Sequence, residues 1–196
     1  MEATLELLQR HGVTGLSIEA VAQRAGVAKT TIYRRWPGKA ELVLDVLTHV
    51  RGTVIPLPQD RPVREVLEIM LETVWEERRD PRRGGGAVLR RLIAEIDVHP
   101  EMAAQYLARV VVPRRAQLME VLRRGVREGE IRPDADLDLV AETLIAPVLL
   151  GAWMHSGTRI ERYSLPGLID LVLTGVAPAA GPGGCDDPPG PARPSA

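Results

Sequence analysis

Apolar residues recur along this chain with a helical period and almost nowhere with an alternating one. Val63, Val66, Leu67, Met70, Leu71, Val74 and Trp75 share one stripe, which predicts a helix over 62–79. Leu42, Val43, Val46, Leu47 and Val50 form a second stripe after Pro37, and Leu5 and Leu8 mark a first helix over 3–11 that Gly12 ends. β-Branched residues never alternate with polar ones at length, so sheets are not expected and the fold class is all-α.

Breaks divide the pattern. Residues 51–60, R-G-T-V-I-P-L-P-Q-D, read as a connection between an N-terminal domain over 1–50 and a larger helical domain over 61–176. Within the second domain a helix runs to about Asp97, with a break at His99–Pro100. A long helix follows over 101–128, with a kink or boundary expected near Pro113. Gly129 can end it. Asp136 or Asp138 can open the next helix, which runs to about His155 and is almost entirely apolar from Val140 to Met154. Such a helix is buried either in a core or between subunits. The last helix, Leu165 to Val176, carries Leu168, Ile169, Leu171, Val172 and Leu173, a stripe wider than one core contact needs. By themselves these two helices fit an intramolecular core and a subunit interface equally well. Residues 177–196 are Pro/Gly-rich, lack hydrophobic mass and are expected to be disordered. Cys185, the chain's single cysteine, lies there as an incidental thiol, so no disulfide framework or multi-cysteine metal site is available within one chain.

The densest local signal is residues 17–43. Ser17 is a natural N-cap, and Glu19 suits the positive end of a helix dipole. Ile18, Val21, Ala22 and Ala25 give one apolar face, and Gly26 stands where that helix must end in a left-handed residue. A second helix runs from Lys29 to Trp36, with Ile32 and Trp36 inward and Lys29, Thr30, Tyr33 and Arg34 outward. Pro37 then turns the chain. Two short helices about a Gly turn are the layout that puts a second helix in a DNA major groove. Charge agrees: from Arg24 to Lys39 there are five basic residues and no acid, while the whole chain carries a net charge of only −1. On this reading Lys29, Thr30, Tyr33 and Arg34 reach base edges, with Arg34 the main discriminator. Ser17, Thr31, Arg35 and Lys39 hold phosphates and so fix register without reading sequence.

In the blocks S-I-E-A-V-A-Q-R-A-G-V, K-T-T-I-Y-R-R-W and P-G-K-A-E-L, the chain resembles the TetR family of bacterial transcription regulators. Tyr33 and Lys39 are the most characteristic positions. The match is specific over residues 5–47 and looser beyond, although R-E-G-E-I-R-P-D at 127–134 is also similar. The resemblance implies a homodimer that binds a double-stranded palindromic operator, usually as a repressor, and dimerises through the last two helices, about 137–155 and 165–176. It also implies a small-molecule effector bound among the C-terminal helices. Met70, Trp75, Met102, Tyr106, Met119, Trp153, Met154 and His155 supply flexible and aromatic lining for a mainly apolar ligand, and each fits plain core packing as well. The chain departs from the family pattern in three places. Few residues precede the first helix: either the start is late or an arm reaching phosphate or minor groove is lacking. Ala28 replaces a capping Ser, at a cost of about 1 kcal/mol. Trp36 replaces the usual Phe, in a chain with no Phe.

Other classes have little support. His11, His49, His99 and His155 are scattered and lack nucleophile partners by motif. Glu95 and Asp97 are expected on different helical faces, solvated near a helix end. An enzyme and a cofactor are therefore not expected; His99 and His155 could approach each other in the fold as a metal pair, but a satisfied or surface histidine is the favoured reading of each. The basic loop Arg82–Gly86 lacks the G-K-[ST] of a phosphate-cradling loop. Residues 144–154 are too short an apolar run to span a bilayer, and Pro147 interrupts them, so a soluble cytoplasmic protein is expected. The alternative from another class is a dimeric helical small-molecule-binding or protein-interaction module without specific DNA binding, which the short N-terminus favours.

Overall fold

The computed structural model describes residues 1–80, 88, 91, 94, 95, 97–154 and 164–177. Their regular elements are helical: α1 (Glu2–His11), α2 (Ile18–Ala25), α3 (Lys29–Arg35), α4 (Lys39–Arg51), α5 (Val63–Arg79), α6 (Pro100–Tyr106), a π-helical turn (Leu107–Val111), α7 (Val112–Glu128), α8 (Leu137–Met154) and α9 (Leu165–Val176). The architecture is all-α, an N-terminal bundle with a larger helical domain behind it. The tail 177–196 with Cys185, the basic loop 82–86 and His155 lie outside the described residues, Ala177 excepted.

Each element starts and stops for a local reason. The Ser17 hydroxyl accepts from Ala20 N–H at 3.1 Å and opens α2. Of the two carboxylates that could open α8, Asp136 does so, accepting from Leu139 N–H at 3.0 Å. Ser164 caps α9 by accepting from Gly167 N–H. Gly129 closes α7 in the left-handed region.

The expected kink near Pro113 takes the form of a π turn in the residues just before it. Val112 N–H bonds to the Leu107 carbonyl, five residues back. Proline has no N–H to give the carbonyl four residues back, here Arg109, and its ring crowds that carbonyl. The disturbance therefore falls on the preceding turn, which widens.

Two apolar clusters organise the molecule. One joins α1, α2, α3 and α4 through Leu5, Leu8, Val21, Ile32, Val43 and Val46, and it takes in Val88 and Met102 from further along the chain. The other is built on α5, α7, α8 and α9, around Leu67, Leu118, Leu122, Leu144 and Ile169. The stripe of α5 is buried at Val63, Val66, Leu67, Met70 and Leu71, with Val74 and Trp75 partly covered at its end. Val140, Ala141, Leu144 and Val148 of α8 are also buried, while Leu139 stays 64% exposed and Leu171 of α9 73% exposed. With no Phe available, branched aliphatics fill both clusters.

The connector between α4 and α5 has no regular structure, so its backbone polar groups need other partners. One helix supplies several of them. On α7, Gln117 accepts from Ile55 N–H and donates to the Ile55 carbonyl. Arg124 donates to the carbonyls of Gln59 and Arg61, both at 2.6 Å. Just past α7, the Glu130 carboxylate accepts from Val63 N–H at the start of α5. Arg114 donates both to the Arg51 carbonyl at the end of α4 and, at 2.8 Å, to each oxygen of the buried Glu77 carboxylate on α5.

Breaking a buried pair from one side is costly. Arg114→Met should lower the unfolding free energy by about 3 kcal/mol, read from urea denaturation. Arg115→Met, whose partners Asp138 and Glu142 are exposed, should change it by less than about 1 kcal/mol.

Candidate nucleic-acid interface

The α2–turn–α3 unit is set by one backbone conformation. Gly26 sits at φ 67°, ψ 30°, and Val27 N–H reaches back to the Ala22 carbonyl at 3.0 Å. This is the hydrogen bond of a glycine-ended helix, and a Cβ would be strained there. The chain leaves the turn and starts α3 at Lys29. Ala28 occupies the N-cap without a side-chain bond, as its methyl dictates. Ile32, 4% exposed, pins α3 to the N-terminal cluster, and Trp36 packs partly against the same cluster. The opposite face, with Lys29, Thr30, Thr31, Tyr33, Arg34 and Arg35, is exposed. Ser17 and Lys39 are half-buried at its margins, where Ser17 caps α2 and Lys39 Nζ donates to the Thr14 carbonyl at 3.4 Å.

The basic run is less free than its composition implies. Lys29 Nζ lies 2.7 Å from Glu19 on α2, Arg24 lies 2.6 Å from Glu6 on α1, and Arg35 lies 3.8 Å from Asp45 on α4. The Lys29 ammonium, by its hydrogen bond first, holds the Glu19 carboxyl below its ordinary range. This exposed tether is complete above the ordinary glutamate pKa and is lost as pH falls through the lowered value. Arg34 is the one α3 cation with no ion pair or hydrogen bond among the described residues. Sequence pattern alone does not mark Glu6 or Asp45 as partners, and it presents Glu19 only as a match to the helix dipole. The signal available for Glu19 is its place at the start of α2, which the Gly turn folds toward the start of α3.

Trp36 is accommodated by a bond that Phe could not make. Its indole N–H donates to Asp45 Oδ2 at 2.8 Å, tying the end of α3 to α4. The Arg35 guanidinium lies 4.8 Å from the same ring's centroid.

The residues suggested as effector lining divide between two places. Met70 and Met119 are buried in the C-terminal cluster with Trp75 against it, whereas Met102 and Tyr106 pack in the N-terminal cluster. Trp153 and Met154 lie on the backbone of α8, and their side chains are outside what is described, as is His155. The carboxylate pair also separates. Asp97 is exposed, but Glu95 is not the solvated group its position suggested: both its oxygens accept hydrogen bonds from residues 13 and 14. His99 lies beside it, and His11 and His49 are exposed. Among the described residues, none group as a metal site would require, and no helix is long and apolar enough to cross a membrane.

A three-helix unit with an outward α3, backed by a second all-helical domain, defines a helix-turn-helix protein of the two-domain regulator type. Residues 1–46 match the family model for bacterial regulatory proteins of the tetR family, and residues 57–172 match that for the tetracyclin repressor-like C-terminal domain. The chain belongs to the TetR family, whose members are DNA-binding regulators and not catalysts. It is 27% identical over 148 residues to the uncharacterized HTH-type transcriptional regulator YdeS of Bacillus subtilis, spanning 76% of this chain and 73% of that protein. It is 29% identical over 175 residues to the HTH-type transcriptional regulator AqdR of Rhodococcus erythropolis, spanning 89% and 82%. The crystal structure of the TetR family transcription regulator SCO0332 superposes with a TM-score of 0.63 at 29% identity, covering 90% of this chain and 96% of that one.

Trp36→Phe keeps the ring packing and loses the N–H to Asp45. It should cost about 1–2 kcal/mol, measured as a lowered thermal midpoint, while Asp45→Ala in the Trp36→Phe background should add little through that bond.

Proposed function

We propose that this chain is a ligand-responsive transcription regulator, a repressor that binds a palindromic operator as a homodimer and is released by a small, mainly apolar effector. The observation that carries the DNA-binding part is the exposed face of α3. It presents Lys29, Thr30, Tyr33 and Arg34, the last with no ion pair among the described residues, on a helix anchored from behind by Ile32 and Trp36. Arg34 is assigned to a base edge, since a guanidinium offers guanine two donors in one plane. Tyr33, 49% exposed, takes the backbone or a base. Ser17, Thr31, Arg35 and Lys39 are assigned to phosphates.

The dimer is assigned to α8 and α9. Leu139 and Leu171 stand largely in solvent on the outer faces of these two helices, and a second copy would cover them. Half-sites lie roughly 34–36 Å apart on one face of DNA. An effector that shifts the spacing of the two α3 helices therefore weakens binding without touching DNA. Apolar side chains of the C-terminal domain, Met70, Trp75 and Met119 among them, support an apolar ligand. Ligands that leave DNA affinity unchanged would remove the effector from this reading.

The test is fluorescence anisotropy on DNA flanking the chain's own gene, at two salt concentrations. Tight binding to one fragment is expected, and Arg34→Ala should cost about 1–3 kcal/mol on that fragment alone. The Arg34→Ala, Tyr33→Ala double variant should keep only weak, salt-sensitive binding. Equal weak binding to every fragment, and to selected genomic DNA, would favour a binding module without an operator. For the dimer, a Leu139→Glu, Leu171→Glu variant should sediment as a folded monomer in analytical ultracentrifugation, against a dimer for the unaltered chain.

A further inference from the structure

The turn between α1 and α2 is held from outside the N-terminal bundle, by side chains that belong to the following domain. Glu95 accepts from Val13 N–H at 3.2 Å with one carboxylate oxygen. With the other it accepts from Thr14 N–H at 2.7 Å and from the Thr14 hydroxyl at 3.0 Å. Four residues earlier, Arg91 donates to the carbonyls of Gln9 and Arg10 at 2.8 and 2.7 Å. Four residues later, His99 Nε2 lies 3.2 Å from the Thr14 hydroxyl and 3.8 Å from Glu95. The Glu95 amide bonds to the Arg91 carbonyl, so Arg91 and Glu95 project from one face of a helical turn.

The chemistry of the two sides matches. The last carbonyls of a helix lack partners within it and carry the negative end of its dipole, and α1 offers them to a guanidinium. The amides of Val13 and Thr14 point the other way and meet a carboxylate. The Glu95 side chain is 17% exposed and Val13 4%, so the Val13 bond is partly shielded from water, while the bonds to Thr14 and from Arg91 lie at the surface. Gly12, at φ 69°, lets the carboxylate come close, since a Cβ there would overlap it. Apolar contacts flank the seam: Val88 and Met102 are both buried in the N-terminal cluster.

We infer that Glu95, with Arg91, is a positioning residue for DNA binding: it fixes the α1–α2 corner to the C-terminal domain and so sets where α3 stands. The inference rests on the DNA-binding reading above. The link from corner to interface is short. Thr14, which Glu95 grips by amide and hydroxyl, accepts from Lys39 through its own carbonyl, and Lys39 opens the helix that follows α3. Neither Arg91 nor Glu95 lies on α3 or among the residues assigned to DNA. Their effect is on the geometry between two α3 helices in a dimer and not on the contacts of either one.

That distinction supplies the test. Glu95→Gln replaces one acceptor oxygen with a donor, and Arg91→Met keeps most of the stem. Each full-length variant is measured on two duplexes, the complete palindrome and a single half-site, and by hydrogen exchange of residues 12–16. The expected result is affinity about ten-fold weaker on the palindrome, in the range usual for coupling between sites, with the half-site unchanged and exchange at Val13 and Thr14 faster. Thr14→Val, which replaces the hydroxyl with a methyl and leaves the amide bond, should give a smaller shift in the same direction. Equal losses on palindrome and half-site, or unchanged affinity on both, would overturn the positioning role. Failure of the DNA-binding reading would look different: the unaltered chain itself would bind no duplex specifically. In that event unchanged exchange at Val13 and Thr14 in Glu95→Gln would overturn the latch as well.

Discussion

The guanidinium of Arg114 joins the end of α4, which packs in the N-terminal cluster, to α5 and α7, which share the C-terminal one. It takes the last carbonyl of α4, neutralises the buried Glu77 carboxylate of α5, and stands on α7 near the start of the C-terminal cluster. A chain that leaves one bundle and enters another must pass through irregular backbone, and irregular backbone has no partners of its own. Here α7 provides them along its length, from Arg114 through Gln117 to Arg124. The helix is thus a splint for the connector as well as a wall of the core. The relative placement of the two bundles follows from that double duty.

Charge and freedom are different properties on the exposed face of α3. Counting residues gives a strongly basic stretch, yet three of its cations already have carboxylate partners. Each such pair is exposed and therefore weak, so it can be exchanged for a phosphate at little cost. Its effect is to keep long side chains extended in defined directions before any encounter. Arg34, with no such partner, is the cation left to search.

Much of the fold was legible because helices announce themselves by period and by their ends. Ser17, Gly26, Pro37, Gly129 and the stripe of α5 mark boundaries that a single turn of backbone dictates. The outward set on α3 was legible for the same reason, since its position follows once Ile32 and Trp36 face inward. Periodicity says which face of a helix is apolar but not which partner covers it. Met102 and Tyr106 therefore look like companions of Met70 and Trp75 in the sequence, although they pack in the other cluster. Glu95 was read as solvated for the same reason: its partners lie more than eighty residues away, and no local pattern encodes a contact of that range. The π turn was placed near the correct proline but not in its correct form, because a missing N–H tells where the ladder fails and not how the chain absorbs it.

The π turn also has a bearing on how the continuous run from α6 to α7 tolerates length changes. It winds about five residues into a path that an α-helix would cover with fewer. Upstream of it, α6 keys into the N-terminal bundle through Met102; downstream, α7 keys into the C-terminal core through Leu118 and Leu122. A residue added or removed in a helix rotates everything beyond it by about 100°. A widened turn is a place where such a change can be partly taken up as altered winding. Leu107–Val111 therefore acts as a phase adjuster between two interlocking surfaces, and the angular register of the domains is written in the number of residues it holds.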